Sequence, residues 1–351
     1  MMLTEPVKNF IKKYYTLLIY KRYHFISNRQ ALKALKNIET QKGKLPIKLK
    51  KEVQQYAQET LGWKGYAPWL LVYTAVCGEF KEGWIPDNYY RTIITPNIQG
   101  EYGKISFLKP LTNQLFQPIS ILDIAYFINN NWFNHKYQKL TPQQVKKLIE
   151  KQPTNKIIFK ADNSFQGKGV KALKTENLNL KTLEIIGNGT LQLFIEQHDF
   201  FNQFQLNSTA TIRLTTVINK TGTSSLRSSY LRIGRNGETH ITSKTHIRIP
   251  IDIIDGTLNE VGYLPNWQTI SSHPDSNIEF KDKIIPNFKI CAAEVKKLHL
   301  KLPMVQCIGW DLIIDKHSKV VLMEWNGYGN DIKFSEATQG PCFKDLEWII
   351  K

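Results

Sequence analysis

Closely spaced cysteines are missing from this sequence of 351 residues. The four cysteines, Cys77, Cys291, Cys307 and Cys342, are far apart and form no CxxC pair. Such spacing supplies neither a zinc framework nor the disulfide lattice of a secreted domain. A chain of this length buries a sizeable core without either kind of cross-link. We therefore expect reduced thiols in a cytoplasmic protein.

Long hydrophobic runs are missing as well. The longest one near the start, residues 14–20, follows Lys12 and Lys13 and is far shorter than the roughly 20 residues that span a bilayer. We expect neither a membrane span nor a signal peptide. Disorder is excluded in turn, because 42% of the residues are hydrophobic and 11% are aromatic.

Acidic residues are scarce, with 30 Asp+Glu against 47 Lys+Arg and a net charge of +17. Residues 1–60 hold 13 basic and 4 acidic residues, so the excess is concentrated there. An apolar stripe recurs in this region at helical spacing, with Lys8, Lys12 and Lys13 largely off it. The stripe consists of Val7, Phe10, Ile11, Tyr14 and Leu18. It predicts a basic amphipathic helix that either packs the stripe on the protein's own core or turns it to anionic lipid or an acidic polymer.

The middle of the chain carries two helix-start signals. A capping box at Ser120 predicts a helix over residues 121–129. A second one, formed by Thr141 and Gln144 with a proline at the first helical position, predicts a helix that ends before Pro153.

Strand patterns dominate from Lys156 onward. The predicted strands are 156–160, 170–175, 191–197, 210–218, 226–233, 239–249, 308–315 and 320–325, with a helix over 286–300 before the last pair. The fold class is therefore α+β, with mainly antiparallel sheets and helices packed on their faces.

The last two predicted strands place two carboxylates together. If they form a hairpin that turns at residues 317 and 318, Asp311 lies directly opposite Glu324. Residues directly opposite each other on neighbouring strands have Cβ atoms roughly 4.5 to 5.5 Å apart. Two like charges this close repel each other, and a divalent cation would neutralise them. Asn326 shares their face and adds a neutral oxygen, a set that suits magnesium. The alternative is two solvated carboxylates on an ordinary hairpin, which the flanking apolar residues disfavour.

Two further motifs precede this hairpin. Lys160 ends a predicted strand and is followed by a loop with Ser164, Gly167 and Gly169, where backbone N–H groups could approach phosphate; a simple flexible hairpin is the alternative. Arg213 enters a predicted strand, and a buried arginine in a sheet usually has an anion or a carboxylate partner.

In this order the residues resemble the ATP-grasp superfamily, most closely the ATP-grasp proteins associated with sugar transfer and surface-polysaccharide gene clusters. The resemblance covers roughly residues 87–344. It implies the ATP-grasp fold, in which two α+β subdomains with mainly antiparallel sheets clasp ATP. The implied division is a mostly helical, basic N-terminal region (1–110), a small subdomain with the phosphate loop (111–195) and a C-terminal subdomain with the magnesium site (196–351).

The resemblance also implies a role for each motif residue. Lys160 and Lys109 correspond to the lysines on the nucleotide phosphates, with Arg213 and Arg232 on the side of the transferring phosphate. The remaining assignments are Ser164, Gly167 and Gly169 in the closing loop, Glu196, Gln197 and His198 at the adenine, and Asp311, Glu324 and Asn326 as magnesium ligands. Considered alone, His198 is more often a structural histidine than a catalytic one.

The implied activity is an ATP-dependent carboxylate–amine ligase that acts through an acyl phosphate, with ATP and Mg²⁺ as cofactors. Its partners would be a carboxylate and an amine, with an acidic or lipid-linked saccharide of surface-polysaccharide (capsule) biosynthesis as the larger substrate. The alternatives are a phosphotransferase on the same fold and a non-enzymatic basic module that binds an anionic polymer or membrane. No zinc finger, RNP motif or basic leucine zipper accompanies the charge, so we expect no nucleic-acid partner. We expect a cytoplasmic location, with peripheral contact at the inner membrane face through the basic helix.

Overall fold

The computed structural model describes residues 5–119, 121–164, 169–206, 208–237 and 245–349, without the side chains of residues 6 and 8–10. The chain divides into two compact units. The first comprises Met1–Asn97, Asn266–Gln268 and Asp331–Lys351, and the second comprises Ile98–Pro265 and Thr269–Asn330. The three-part division implied by the resemblance stays a prediction.

The described residues form eleven helices, and six of them precede the first strand. They are α1 (Glu5–Lys42), α2 (Ile47–Glu59), α3 (Ala67–Cys77), α4 (Asp87–Tyr89), α5 (Thr95–Ile98), α6 (Thr112–Phe116), α7 (Pro142–Glu150), α8 (Leu180–Ile186), α9 (Asp199–Asn202), α10 (Phe288–His299) and α11 (Lys333–Gln339). The predicted capping box of α7 is confirmed: the backbone N–H of Gln144 donates to Thr141 Oγ1, and the backbone N–H of Thr141 donates to Gln144 Oε1. Short 3₁₀ and π turns connect several of these helices.

A six-stranded antiparallel sheet forms the first part of the second unit. Its strands are β1 (Asp123–Ile128), β2 (Asn131–Phe133), β3 (Lys139–Leu140), β4 (Lys156–Ala161), β5 (Val170–Lys174) and β6 (Gly189–Leu193), in the order β3-β2-β1-β6-β4-β5. Helices α7 and α8 cover it, with Val145 and Leu183 packing among Ile157, Phe159 and Leu191. The helix predicted over 121–129 is wrong, because residues 123–128 form β1, which pairs with β2 and β6. A short apolar run has no periodicity that separates a buried strand from a buried helix.

A seven-stranded antiparallel sheet forms the rest of that unit. Its strands are β7 (Thr211–Ile218), β8 (Ser224–Ile233), β9 (Ile247–Pro250), β10 (Gly262–Tyr263), β11 (Thr269–Ile270), β12 (Cys307–Ile314) and β13 (Val320–Asn326), in the order β11-β10-β9-β8-β7-β12-β13. The strand predicted over 239–249 appears as β9, and its residues up to 244 lie outside the described residues. All of β12 is buried, and α10 packs on one face of the sheet through Cys291, Val295 and Leu298. These observations establish the predicted α+β class with antiparallel sheets.

The first unit is helical. Its helix α1 packs against α3 through its second half, where Ala31, Ala34 and Ile38 are buried. Buried Asp87 accepts hydrogen bonds from Tyr23 and Ser27 of α1. The described part of the apolar stripe in the first half of α1 is exposed, so the stripe does not pack on the protein's own core; the side chain of Phe10 lies outside the described residues. Within the part of the chain that the structure describes, no helix has the length and apolarity needed to cross a membrane.

Candidate functional site

A row of four paired residues crosses four adjacent strands of the larger sheet, up to its edge strand β13. Tyr230, Arg213, Asp311 and Glu324 are neighbours in register on β8, β7, β12 and β13. The predicted pairing of Asp311 with Glu324 is confirmed. Immediately after Asp311 a bulge shifts the pairing by one residue, so that Leu312 pairs with Leu322. A bulge of this kind re-aims side chains next to it, which makes this part of the sheet suitable for a site.

Asp311 is held by two guanidinium groups. Arg213 Nε donates to Asp311 Oδ1 at 2.6 Å and its Nη2 donates to Oδ2 at 2.9 Å, while Arg232 Nη2 contacts Oδ1 from β8. Burial alone would raise the pKa of Asp311, but the charges of Arg213 and Arg232 outweigh it and hold the pKa well below its usual range. The carboxylate is therefore ionised and fully engaged by the protein's own cations.

Glu324 lies beside two lysines from distant parts of the chain. Lys109 Nζ forms an ion pair with Glu324 Oε1 at 2.9 Å. Lys160 is buried and its Nζ donates to the backbone carbonyl of Met323 at 3.1 Å. Burial lowers the pKa of Lys160, and the nearby charge of Glu324 opposes that shift. The structure thus brings together both lysines and one of the carboxylates that sequence reasoning selected.

These ion pairs correct one step of the sequence argument. The sequence predicted that Asp311 and Glu324 repel each other and therefore need a metal. This prediction is wrong, because Arg213, Arg232 and Lys109 neutralise the two carboxylates. The assignment of Asp311, Glu324 and Asn326 as metal ligands stays a prediction.

Sequence reasoning missed two acceptors that position these cations. Asn330 accepts a hydrogen bond from Arg213 Nη1 at 3.2 Å. It reaches the arginine because Gly309 has no side chain: a Cβ at that position would overlap the Asn330 carboxamide. Asp162 accepts from the backbone N–H of Lys109 at 3.0 Å. The signals in the sequence were the glycine two residues before Asp311 and the aspartate two residues after Lys160.

The predicted phosphate loop is described only at its two ends. Gly167 lies outside the described residues. Ser164 Oγ donates to the carbonyl of its own turn at Ala161, and the Ala161 N–H donates to the Gly169 carbonyl. A Cβ at Gly169 would overlap the Ser164 side chain, so this glycine allows the ends of the loop to approach. The phosphate role of the loop stays a prediction.

The segment predicted to face adenine uses its side chains within the protein. Glu196 is exposed and pairs with Lys316 at 2.6 Å. Gln197 is buried, donates to the Gln205 carbonyl and accepts from the Ala210 N–H. His198 Nδ1 accepts from the N–H of Phe200 at the start of α9. The structural interpretation of His198 and the adenine assignment of the segment both stay predictions.

The donor chemistry of the site fits a magnesium nucleotide. Glu324 has 37% of its side chain exposed, and Asn326 lies on the same face two residues on, so a carboxylate and a carboxamide oxygen are both at hand. Lys109 and Lys160 add positive charge beside these oxygens. Over the described residues there is no group of three or more His, Cys, Asp or Glu side chains that could hold a metal ion.

One family model matches the C-terminal part of this chain. Residues 187–346 match the family model of sugar-transfer associated ATP-grasp proteins, which confirms the resemblance inferred from the sequence. This stretch contains both arginines, both carboxylates and Asn326. A comparison with curated proteins found no match.

Solved structures of ATP-grasp enzymes are similar to this chain at low sequence identity. The biotin carboxylase domain of the Hydrogenobacter thermophilus 2-oxoglutarate carboxylase is 11% identical, with 70% of this chain and 46% of that chain covered and a TM-score of 0.43. The biotin carboxylase of Campylobacter jejuni is 12% identical, with 92% and 69% covered and a TM-score of 0.45. The D-alanine–D-alanine ligase of Coxiella burnetii is 13% identical, with 70% and 58% covered and a TM-score of 0.37. The chain spans about half the length of the first of these structures.

We predict that Asp311→Asn destabilises the fold far more than Glu324→Gln. Loss of the Asp311 charge leaves two arginines facing a neutral group in a buried position, a change that costs about 3–5 kcal/mol. Glu324 is more exposed, and its single lysine pair is worth less than about 1 kcal/mol. Urea unfolding of the two isosteric variants measures the difference. Equal free energies of unfolding would show that the two guanidinium contacts with Asp311 do not stabilise the sheet.

Proposed function

We propose that this protein is an ATP-dependent ligase that joins a carboxylate to an amine through an acyl phosphate. The observation that carries the proposal is the convergence of Lys109, Lys160 and Glu324, which come from three separate segments and lie beside the Arg213–Asp311–Arg232 cluster. Cations around an exposed carboxylate form a suitable environment for a triphosphate with its metal.

In this proposal the nucleotide phosphates contact Lys109 and Lys160, and Glu324 and Asn326 hold Mg²⁺. Magnesium would supply charge neutralisation at the phosphates and orientation of the γ-phosphoryl group. Lys109 is the more adaptable of the two lysines, because it would exchange its contact with Glu324 for a phosphate oxygen. Lys160 is held by burial and by its hydrogen bond to the Met323 carbonyl, so its ammonium group would keep its place beside the phosphates.

The arginines are proposed to bind the substrate side. Arg213 and Arg232 share one carboxylate, Asp311, so the cluster has a net positive charge that suits a substrate carboxylate and the acyl phosphate made from it. Attack of the substrate carboxylate on the γ-phosphorus breaks the bond to ADP, and attack of the amine on the acyl carbon then releases phosphate. No covalent bond to the protein is needed.

The description of the matched family supports a saccharide as the larger substrate. We propose a sugar acid or a related carboxylate as acceptor and an amino acid or other amine as nucleophile, in the assembly of a surface polysaccharide such as a capsule. A cytoplasmic site of action follows from the use of ATP, and contact with the inner membrane face would bring the enzyme to a lipid-linked acceptor.

The reaction products test the proposal. With a panel of uronic acids, amino acids and their pairs, we expect ADP and phosphate to appear only when both a carboxylate and an amine are present. Hydroxylamine should replace the amine and trap the acyl phosphate as a hydroxamate. AMP and pyrophosphate would contradict the mechanism, and a stable phosphorylated product without amine consumption would identify a phosphotransferase instead.

A second prediction separates Lys160 from an ordinary surface lysine. Lys160→Ala should lower kcat/KM by at least about 100-fold, because it removes a fixed charge from the phosphates. The matched control is Lys174→Ala on the adjacent strand β5, where the side chain is 67% exposed and should not matter. Steady-state kinetics of both variants, with circular dichroism to check folding, provide the measurement. Wild-type kcat/KM in a folded Lys160→Ala protein would remove this residue from the site.

A further inference from the structure

Helix α1 carries an apolar stripe on the side opposite the buried residues that pack against α3. Residues 27, 31, 34 and 38 are buried and define the inner side of the helix. At about 100° per residue, the opposite side contains positions 7, 11, 14, 18, 25 and 32. These are Val7, Ile11, Tyr14, Leu18, Phe25 and Leu32, each between 42% and 69% exposed. We call this set the outer stripe.

Basic residues lie among and beside the members of the outer stripe. Lys21, Arg22, Arg29, Lys33 and Lys36 are all exposed and lie within about 80° of its centre on the helix. Between Glu5 and Glu39 the helix sequence contains eight Lys or Arg residues and no Asp or Glu. The exposed side of α1 therefore combines six apolar side chains with an uncompensated positive charge.

We propose that the outer stripe lies in the interface of an anionic lipid bilayer, with the helix parallel to the membrane plane. Apolar side chains would enter the acyl boundary, while the long lysine and arginine side chains at the edges extend their charges to the lipid phosphates. Tyr14 has the amphipathic ring that favours the headgroup level.

The positive charge and the apolar side chains together favour an anionic bilayer over a second copy of the chain or an acidic saccharide. A second copy of the chain would bring basic edges against basic edges, with no acidic residue between positions 5 and 39 to pair with them. An acidic saccharide would match the charge but would leave the six apolar side chains in water. An anionic bilayer satisfies both features.

Vesicle flotation of the full-length protein tests the proposal. One vesicle type contains phosphatidylcholine with about 30% phosphatidylglycerol, the other phosphatidylcholine alone, over a series of roughly 50 to 500 mM NaCl. We expect binding to the anionic vesicles that weakens as salt rises. Equal binding to both vesicle types, or binding to neither, would overturn the proposal.

Two variants separate the charge from the apolar contribution. Replacing Lys21, Arg22, Arg29 and Lys33 by Gln should weaken binding at least about 10-fold at low salt. The variant Leu18→Gln, Phe25→Gln, Leu32→Gln keeps the charge and should bind more weakly at every salt concentration, because apolar burial is not screened. All of these side chains are exposed, and circular dichroism melts check that the fold is retained.

The matched control removes the same number of charges elsewhere. Lys146 and Lys147 on α7 and Lys296 and Lys297 on α10 are exposed, and their replacement by Gln should leave vesicle binding within about twofold of wild type. A loss in this control equal to that of the charge variant would show that net charge alone is responsible, which contradicts a site on α1. If the apolar variant binds vesicles as the wild type does, the apolar side chains do not enter the bilayer. An acidic polymer, which needs only the charge, would then be the better occupant of the stripe. Sedimentation velocity could instead detect a dimer that is lost when the stripe is changed. If the protein also binds no vesicles, the occupant of the stripe is a second copy of the chain.

Discussion

The contact of Asp311 with Arg213 and Arg232 joins three adjacent strands of the larger sheet, β8, β7 and β12. A buried carboxylate and two guanidinium groups are each expensive to remove from water, and they are tolerated because each satisfies the others. Arg213 in turn reaches Asn330 because Gly309 leaves room for it. The position of Glu324 on the next strand, and thus of its lysine partner, depends on the same register.

These ion pairs give the metal a different role from the one that the sequence suggested, because the metal is not needed to neutralise the two carboxylates. A pair of opposed carboxylates predicts a cation between them, yet the protein supplies its own cations from strands β7 and β8 and from Lys109. Both carboxylates therefore already have cationic partners within the protein. We infer that Glu324 and Asn326 would hold magnesium when the nucleotide is bound, and that the ion would not be required for folding.

Local patterns predicted much of this structure. Turn chemistry and alternation located the final hairpin and its register, and the capping box located α7. The helix expected at 121–129 failed because a short buried run has the same composition as a strand. Arg213 could be expected to have an anionic partner, but its identity depends on which strands become neighbours, and β7 lies between β8 and β12 only in the folded sheet. The exposure of the outer stripe was equally undecided in the sequence, since amphipathic spacing is the same for a core contact and a lipid contact.

Thermal unfolding with separate additions of Mg²⁺, ATP and both tests the central claim most directly. A ligand that binds only the folded state raises Tm according to its affinity and concentration. We predict that Mg²⁺ alone leaves Tm unchanged, because the carboxylates of the apo protein are already paired, and that ATP with Mg²⁺ raises it clearly above ATP with a chelator. A rise in Tm with Mg²⁺ alone would identify a structural metal between Asp311 and Glu324. No rise with ATP and Mg²⁺ together would contradict the nucleotide site.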